Sequence, residues 1–225
     1  MDRQGSAATR IEPLDPRRFA EISFTPTLYV QIVKPVIDYI GGLVLTIVTL
    51  PICLIVAFLV YRDLGNPIIL KQQRVGRGGR VFNVYKFRSM EPDRRAGPPD
   101  FVGADRRVTH KDANDPRLTD LGRFMRKWSL DELPQLWNVV LGDMSLVGPR
   151  PEMVQIVEQY EPWQHQRHVV KPGITGLWQV SARGDLPMHE ATDIDIDYVD
   201  SISFAKDLEI LFKTIPAAMG DGKGH

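Results

Sequence analysis

The chain contains a single cysteine, and this scarcity already excludes some classes of protein. Because Cys53 is the only cysteine, an intramolecular disulfide is impossible. Cys53 also lies within an apolar run, and a cysteine-based metal cluster is not expected. An excess of charge of either sign is also missing, because 28 basic residues balance 28 acidic residues. A net charge of zero provides no general field for nucleic acid, so we expect no nucleic-acid partner.

Several familiar motifs are missing from the sequence as well. The glycines of residues 76–79 lack the full dinucleotide fingerprint, and no P-loop lysine pattern occurs in the chain. His165 and His168 have the spacing of a shared helix face, but no further zinc-type ligands cluster with them. Internal repeats and low-complexity tracts are absent, so the 225 residues predict one domain with an appendage.

One long apolar segment is present near the start of the chain. No charged residue occurs from Tyr39 to Tyr61, which as a helix would be about 35 Å long, enough to cross a bilayer. Pro51 removes a backbone hydrogen bond near the middle, and each half alone would reach about half a bilayer. Basic residues flank both ends, Lys34 before the segment and Arg62, Lys71, Arg74, Arg77 and Arg80 after it. Two topologies stay open, a kinked span and a hairpin that enters and leaves by one face.

The remaining sequence predicts a small α+β domain that is mainly helical. Pro67–Val75 and Arg80–Phe87 favour β structure and are separated by a glycine-rich turn, which predicts a β-hairpin. Residues 91–116 predict a long surface loop. Helical patterns then cover Thr119–Lys127, Asp131–Leu141, Glu152–Tyr160 and Ser201–Ala218.

The last helical pattern carries an apolar stripe. It consists of Phe204, Leu208, Leu211, Phe212 and Ile215. Such a stripe is more typical of a core-facing surface than of a membrane contact, and we expect the core.

Two adjacent carboxylates, Asp131 and Glu132, are the strongest chemical signal. In one interpretation Ser129 and Glu132 form a capping box at a helix N-terminus, and the pair is only structural. In the other, the helix N-terminus binds a phosphate and a carboxylate attacks phosphorus to form an acyl-phosphate. A divalent ion such as Mg²⁺ would then bring the anionic nucleophile to an anionic pyrophosphate.

Three arginines lie beside turn or helix-start signals, where a guanidinium can grip a phosphate with two hydrogen bonds. They are Arg88, Arg126 and Arg150. Arg150 stands between Pro149 and Pro151, and the two prolines predict a rigid turn that presents its side chain. A solvated surface arginine is the alternative for each of the three.

Seven short motifs follow one another from about Lys34 to Ala218. They are Lys34–Asp38 with the mid-run Pro51, Gln73–Gly76, Tyr85–Met90, Asp115–Thr119, Ser129–Asn138, Gly142–Pro151, and Pro172–Leu177 with Gln179 and Val180. Each motif alone is weak, but in this order they are specific. The chain resembles the bacterial sugar transferases, small monotopic phosphoglycosyl transferases that start glycan assembly on a polyprenyl-phosphate carrier. This resemblance favours the chemical interpretation of Asp131.

The resemblance implies transfer of a sugar phosphate from a UDP-sugar to undecaprenyl phosphate, with release of UMP. It implies that Asp131 is the nucleophile, forms a covalent phosphosugar intermediate and contacts Mg²⁺, while Glu132 assists. It further implies phosphate binding by Arg126 and donor recognition over Gln179–Arg183. The turn of Pro149 and Pro151 would shape the base of the site.

The polar, proline-dotted residues 1–33 predict a flexible or interfacial leader, and the resemblance implies the rest of the domain arrangement. We expect a leader over residues 1–33, a re-entrant membrane hairpin over 34–62 broken at Pro51, a catalytic domain over 63–218 and a disordered tail over 219–225. The protein would be a monotopic enzyme with amphipathic interfacial helices on the cytoplasmic face of the bacterial inner membrane. Its partners would be membrane lipid, the UDP-sugar and undecaprenyl phosphate, with self-association left open.

This chain departs from the family pattern in three places. Ala182 stands where a glycine is often found, and the charged loop over 91–117 is longer than in the shortest members. The N-terminal membrane helices of larger relatives are missing, which predicts a minimal enzyme. Two other classes stay open: a conventional glycosyltransferase, which would release UDP, and a non-catalytic membrane scaffold.

Overall fold

A computed structural model describes residues 14–15, 17–20, 24–91, 117–181 and 191–219. Nearly all of the expected surface loop, together with Arg183 and residues 220–225, lies outside the described residues. The helices are α1 (Arg17–Ala20), α2 (Lys34–Leu64), α3 (Asp120–Lys127), α4 (Gln135–Val140), α5 (Val154–Val157), α6 (Leu177–Ser181), α7 (Thr192–Ser201) and α8 (Phe204–Met219). The strands are β1 (Ile69–Val75), β2 (Val81–Phe87), β3 (Ser145–Val147) and β4 (Gly173–Thr175).

The apolar segment forms α2, which has 31 residues and follows a π-helical turn over Tyr29–Val33. The helix continues through Pro51, so its backbone is not interrupted at the expected break. A proline removes only its own N–H donor and strains one turn, which a long helix can accommodate. With the preceding turn, the helical segment Tyr29–Leu64 is long and apolar enough to cross a membrane.

Both ends of α2 contact the same globular domain. At its start, the Lys34 Nζ lies 2.5 Å from the Asp207 Oδ2 of α8, and the Asp38 carboxylate accepts a hydrogen bond from the Leu146 N–H of β3. Towards its end, Val56 and Val60 are buried in a cluster with the side chains of Phe87 and Met125. Most of the large apolar residues between these two attachments are exposed.

The predicted β-hairpin is present. Strands β1 and β2 pair antiparallel, with Ile69 opposite Phe87 and Val75 opposite Val81. The turn needs glycine because Gly78 and Gly79 both have positive φ, at 64° and 79°. The Tyr85–Met90 motif covers the last residues of β2 and the three residues that follow it.

A second, parallel strand pair was not predicted. Ser145 of β3 aligns with Gly173 of β4, and Val147 aligns with Thr175. A Cβ atom on Gly173 would lie 2.1 Å from the Gly148 nitrogen, so the two chains could not approach this closely with larger residues. This pairing brings the Gly142–Pro151 motif against the Pro172–Leu177 motif, above the core formed by Val139, Met144, Tyr198 and Ile210.

The predicted helices are confirmed in part. Helix α3 begins where expected, because the Thr119 side chain caps it by accepting a hydrogen bond from the Gly122 N–H at 2.9 Å. Helix α8 also matches its pattern, but the expectation of a core-facing stripe is wrong for four of the five residues. Phe204, Leu208, Phe212 and Ile215 are exposed, since Asp207 and Ile210 occupy the buried side of the helix.

Two predicted helices are much shorter than expected. Over Glu152–Tyr160 only α5, a single turn, is helical. The backbone is extended at Glu161, which caps the 3₁₀ helix Pro162–Val169, so the helical pattern cannot continue into that segment. Over Asp131–Leu141 the helix α4 starts at Gln135, and the carboxylate pair lies in a separate 3₁₀ turn before it.

Candidate active site

Asp131 and Glu132 lie in the 3₁₀ turn Leu130–Glu132, between α3 and α4. Ser129, just before this turn, has a left-handed backbone with φ of 53°, and its side chain makes no capping hydrogen bond. The capping-box interpretation of Ser129 and Glu132 is therefore wrong. The Glu132 side chain binds cations of distant segments instead of the backbone N–H of Ser129, because a charged partner forms a stronger hydrogen bond than a backbone amide does.

Glu132 is held by two cations. The Lys86 Nζ lies 3.0 Å from Glu132 Oε1, and Arg150 donates from Nη2 to Oε1 at 2.5 Å and from Nη1 to Oε2 at 3.3 Å. Burial acts to raise the pKa of Glu132, but the charges and hydrogen bonds of Arg150 and Lys86 outweigh it and hold the pKa well below its usual range. Glu132 is consequently an ionised carboxylate whose two oxygens are already engaged.

Asp131 directly precedes Glu132 in the chain, but its environment differs from that of Glu132. It is buried, and among the described residues no side chain or backbone group donates a hydrogen bond to its carboxylate. Burial and then the neighbouring charge of Glu132 raise its pKa, and Lys86, Arg126 and Arg150 counter this only in part. Of the two carboxylates, Glu132 has both oxygens bound by cations, whereas Asp131 accepts no hydrogen bond from a described residue.

The predicted phosphate-binding arginines occupy three different positions. Arg126 of α3 donates from Nε to Ser89 Oγ at 3.2 Å and lies near enough to lower the pKa of Asp131. Arg150 binds Glu132, as described above. Arg88 is buried, and it donates to the backbone carbonyls of Leu64, Asn66 and Met90, which ties the end of α2 to β2. Phosphate binding by these residues stays a prediction, with Arg126 and Arg150 next to the carboxylates.

The turn around Arg150 is anchored to the parallel strand pair. The Gly148 N–H donates to the Thr175 carbonyl, and the Gly173 N–H donates to the Pro149 carbonyl, both at 2.9 Å. Glu152, which follows Pro151, is buried and lies 3.5 Å from Arg74 Nη1 of β1. The turn that the two prolines predict is therefore held from both sides.

Lys86 and Asn138 belong to the site but were not singled out from the sequence. The Asn138 Oδ1 accepts a hydrogen bond from the Tyr85 N–H at 3.1 Å, and its Nδ2 donates to the Asn83 carbonyl at 2.7 Å. Asn138 is fully buried and fixes the part of β2 that carries Lys86. Both residues lie within family-like motifs, which was the only signal that could have identified them.

The predicted donor-binding residues are only partly described. Gln179 of α6 is buried and donates from Nε2 to the Ile174 carbonyl at 3.2 Å. Its Oε1 is also buried and accepts no hydrogen bond from any described residue. No hydrogen bond joins Gln179 to Asp131 or Glu132 within the described part of the chain. Arg183 lies outside the described residues, and donor recognition by this pair stays a prediction.

The site was tested for its fit to Mg²⁺. No group of three or more histidine, cysteine, aspartate or glutamate residues could hold a metal in the described ranges. Mg²⁺, however, commonly uses only one or two carboxylates and takes its other ligands from substrate phosphates and water. Asp131 fits this use, since it is a buried carboxylate with hard oxygen atoms to which no described residue donates a hydrogen bond.

Comparison with known proteins places the chain in a family. The family model described as "Bacterial sugar transferase" matches residues 29–221. The UDP-galactose-lipid carrier transferase of Erwinia amylovora is 44% identical over 191 residues, which is 82% of this chain and 40% of that protein. The undecaprenyl-phosphate galactose phosphotransferase of Salmonella typhimurium is 42% identical over 190 residues, again 82% of this chain and 40% of that protein.

A shorter relative matches almost end to end. The exopolysaccharide production protein PSS of Rhizobium leguminosarum bv. phaseoli is 38% identical over 204 residues, covering 86% of this chain and 98% of the relative. The chain thus spans about two fifths of the longer relatives and nearly all of the shorter one. By the extent of the family match and these identities, the chain belongs to the bacterial sugar transferase family.

Proposed function

We propose that this protein transfers a sugar 1-phosphate from a UDP-sugar to undecaprenyl phosphate and releases UMP. The proposal rests on the different environments of Asp131 and Glu132. Glu132 is neutralised by Arg150 and Lys86, whereas Asp131 is buried beside it without a hydrogen-bond donor. A buried carboxylate beside several cations suits attack on a phosphorus atom that carries negative charge.

The transfer takes place in two displacements at one phosphorus atom. An Asp131 oxygen attacks the phosphorus that bears the sugar, and the bond from this phosphorus to the oxygen bridging the two phosphates breaks. UMP leaves with the electrons of that bond, and an aspartyl phosphosugar remains on the protein. An oxygen of undecaprenyl phosphate then attacks the same phosphorus, which restores the Asp131 carboxylate and yields undecaprenyl-diphosphate-sugar.

The surrounding residues support these displacements electrostatically. Arg150 and Lys86 keep Glu132 ionised and fixed, and Arg126 adds a positive charge near the phosphate oxygens. When bound at Asp131, Mg²⁺ would reduce the repulsion between the carboxylate and the pyrophosphate. The names of the relatives make UDP-galactose the first donor to test and exopolysaccharide synthesis the first pathway to examine.

The membrane arrangement is also a proposal. We infer that α2 is a re-entrant helix that enters the inner membrane from the cytoplasmic face and returns to it by a bend at Pro51 that keeps the helical backbone, with the catalytic domain on that face. Attachment of both helix ends to one domain supports this, because a spanning helix would carry one end to the opposite side. Reporters on the N- and C-terminus should both be accessible from the cytoplasm, and labelling from opposite sides would contradict the hairpin.

The activity is tested by identifying the released nucleotide. Purified protein in nanodiscs would receive undecaprenyl phosphate, Mg²⁺ and UDP-galactose, followed by a panel of other UDP-sugars. We expect UMP, and we expect Asp131→Asn to abolish both UMP release and labelling of the protein by the phosphosugar. Asp120→Asn, which changes an exposed aspartate paired with Arg123, is the matched control and should retain activity.

Other outcomes would contradict the proposal in distinct ways. Release of UDP would indicate a conventional glycosyltransferase. No nucleotide with any donor would favour a membrane scaffold. Full UMP release and full labelling in Asp131→Asn would remove Asp131 as the nucleophile while leaving the overall reaction in place.

A further inference from the structure

The turn that presents Arg150 is fixed at two consecutive carbonyl groups. The Pro149 carbonyl accepts the Gly173 N–H at 2.9 Å, and the Arg150 carbonyl accepts from Arg167 Nη2 at 2.6 Å. Prolines on both sides of Arg150 have no N–H groups, so the turn can use few donors of its own. Its orientation therefore depends on donors supplied by other segments, and one of them is a buried arginine side chain.

Arg167 joins three parts of the molecule. It lies in the 3₁₀ helix Pro162–Val169, where its side chain is 1% exposed. Besides the Arg150 carbonyl, it donates from Nη1 to Tyr160 Oη at 2.5 Å. Its Nη2 also lies 2.6 Å from the Asp195 Oδ2 of α7, as an ion pair without hydrogen-bond geometry, since neither Asp195 oxygen accepts a hydrogen bond from a described residue. The Asp195 carboxylate is also 1% exposed. A single planar guanidinium thus links the Arg150 turn to α7.

A buried ion pair of this kind adds little to the net stability of a fold. Removing two charges from water costs several kcal/mol, and well-packed apolar residues of similar volume often stabilise a fold as well or better. What the pair provides is position, because the buried Asp195 carboxylate attracts the Arg167 guanidinium, whose rigid fork then donates hydrogen bonds at fixed angles to Tyr160 and Arg150. Here one acceptor is the backbone of the residue that grips Glu132.

We infer that Arg167 and Asp195 are positioning residues for phosphosugar transfer, acting through the backbone of Arg150. The inference rests on the proposed function, since it assigns Arg150 a task in that reaction. Asp195 orients Arg167, and Arg167 holds the Arg150 carbonyl. The Arg150 guanidinium then meets both oxygens of Glu132, which leaves Asp131 without a competing donor.

The test is a double-mutant cycle on UMP release. Arg167→Lys keeps a cation but lacks the fork, and Asp195→Asn keeps the shape of the side chain without its charge. Each should lower kcat by about 10- to 100-fold, the usual cost of a small misplacement in an active site, with little change in the donor KM. In an Arg150→Lys background, which has already lost the two-pronged grip on Glu132, the same changes should cost almost nothing further.

Asp207→Asn serves as the matched control. It disrupts another buried ion pair, that of Asp207 with Lys34 at the start of α2, and within the described residues no hydrogen bond or ion pair joins Asp207 to Arg150 or Arg167. It should lower Tm, but its effect on kcat should be the same in the wild-type and Arg150→Lys backgrounds. This separates positioning from a general loss of stability.

The results that would overturn the inference are specific. If Arg167→Lys and Asp195→Asn lower kcat by the same factor in the Arg150→Lys background as in the wild type, the two residues do not act through Arg150. Unchanged kcat in folded variants, or failure of both variants to fold, would assign the pair a merely structural role. If the wild-type protein releases UDP or no nucleotide, the proposed function fails instead, and this is seen before any variant is made.

Discussion

At the scale of single residues, two adjacent carboxylates in one 3₁₀ turn have opposite environments. Glu132 has two cationic partners and a lowered pKa, whereas Asp131 has a raised pKa because of burial and the charge of Glu132. The difference does not come from the backbone, which is shared. It comes from side chains supplied by β2 and by the Arg150 turn, and it is the reason why we propose Asp131 rather than Glu132 as the nucleophile.

The raised pKa of Asp131 predicts how activity depends on pH. The nucleophile must be ionised, so kcat/KM should fall as the pH decreases through the pKa of Asp131, above the ordinary range of an aspartate. Glu132→Gln removes a neighbouring negative charge and frees two cations, and both changes lower the pKa of Asp131. The acid limb of the profile should therefore move to lower pH in this variant, although the maximum rate should also fall.

The measurement is UMP release as a function of pH at fixed Mg²⁺ concentration. Asp120→Asn, which changes an exposed carboxylate at the start of α3, should leave the acid limb in its wild-type position. An acid limb that stays in place in Glu132→Gln would show that another group controls the profile.

At the scale of elements, α2 packs closely on α4 and β3 through a pair of glycines. A Cβ on Gly42 would lie 2.9 Å from Val139 Cγ1, whereas a Cβ on Gly41 would lie 2.8 Å from Leu146 Cδ1. The two distances are similar, but the obstacles differ. Val139 is stiff and fully buried, while the end of the Leu146 side chain can rotate away.

This difference predicts unequal effects of two otherwise identical substitutions. Gly42→Ala should be less stable than Gly41→Ala by about 1–2 kcal/mol, the range of a mild overpacking of a core. Because both replace a glycine of the same helix by alanine, the gain in helix propensity cancels between them. Thermal unfolding of the two variants in the same detergent measures the difference, and an equal or reversed order would contradict the close packing at Gly42.

At the scale of the whole molecule, an exposed apolar surface extends beyond α2. Phe204, Leu208, Phe212 and Ile215 of α8 are exposed, as are Trp128 after α3 and Trp137 on α4. Large exposed apolar areas mark interaction sites, and tryptophans favour the boundary between lipid and water. These residues support the interfacial helices that we propose for the membrane-bound protein.

The α8 surface can be tested with a depth-sensitive label. Since Cys53 is the only cysteine, Cys53→Ser gives a background in which one new cysteine carries a fluorophore. A label at Phe212→Cys should be strongly quenched by lipids with nitroxide-labelled headgroups. A label at Asp193→Cys, on the exposed face of α7, should be quenched by a water-soluble agent instead. Equal quenching of both labels by the lipid would argue against a membrane contact of α8.

The sequence by itself determined the elements that depend on neighbouring residues. The β-hairpin follows from alternating residues around a glycine turn, α3 from its threonine cap, and the rigid Arg150 turn from its two prolines. The carboxylate pair and the long apolar segment could also be read directly, and the order of the motifs identified the family. Each of these features arises from backbone preferences or chemical groups within a few positions along the chain.

Only the tertiary structure decided which distant groups meet. Glu132 binds Arg150, 18 positions away, and Lys86, 46 positions away, and these contacts replaced the capping box that local spacing predicted. Apolar periodicity located α8 but placed its stripe in the core, because periodicity defines a face of a helix without specifying what covers it. The parallel pairing of β3 with β4 and the link from Arg167 to the Arg150 carbonyl depend on the packing of the entire chain, which no local pattern encodes.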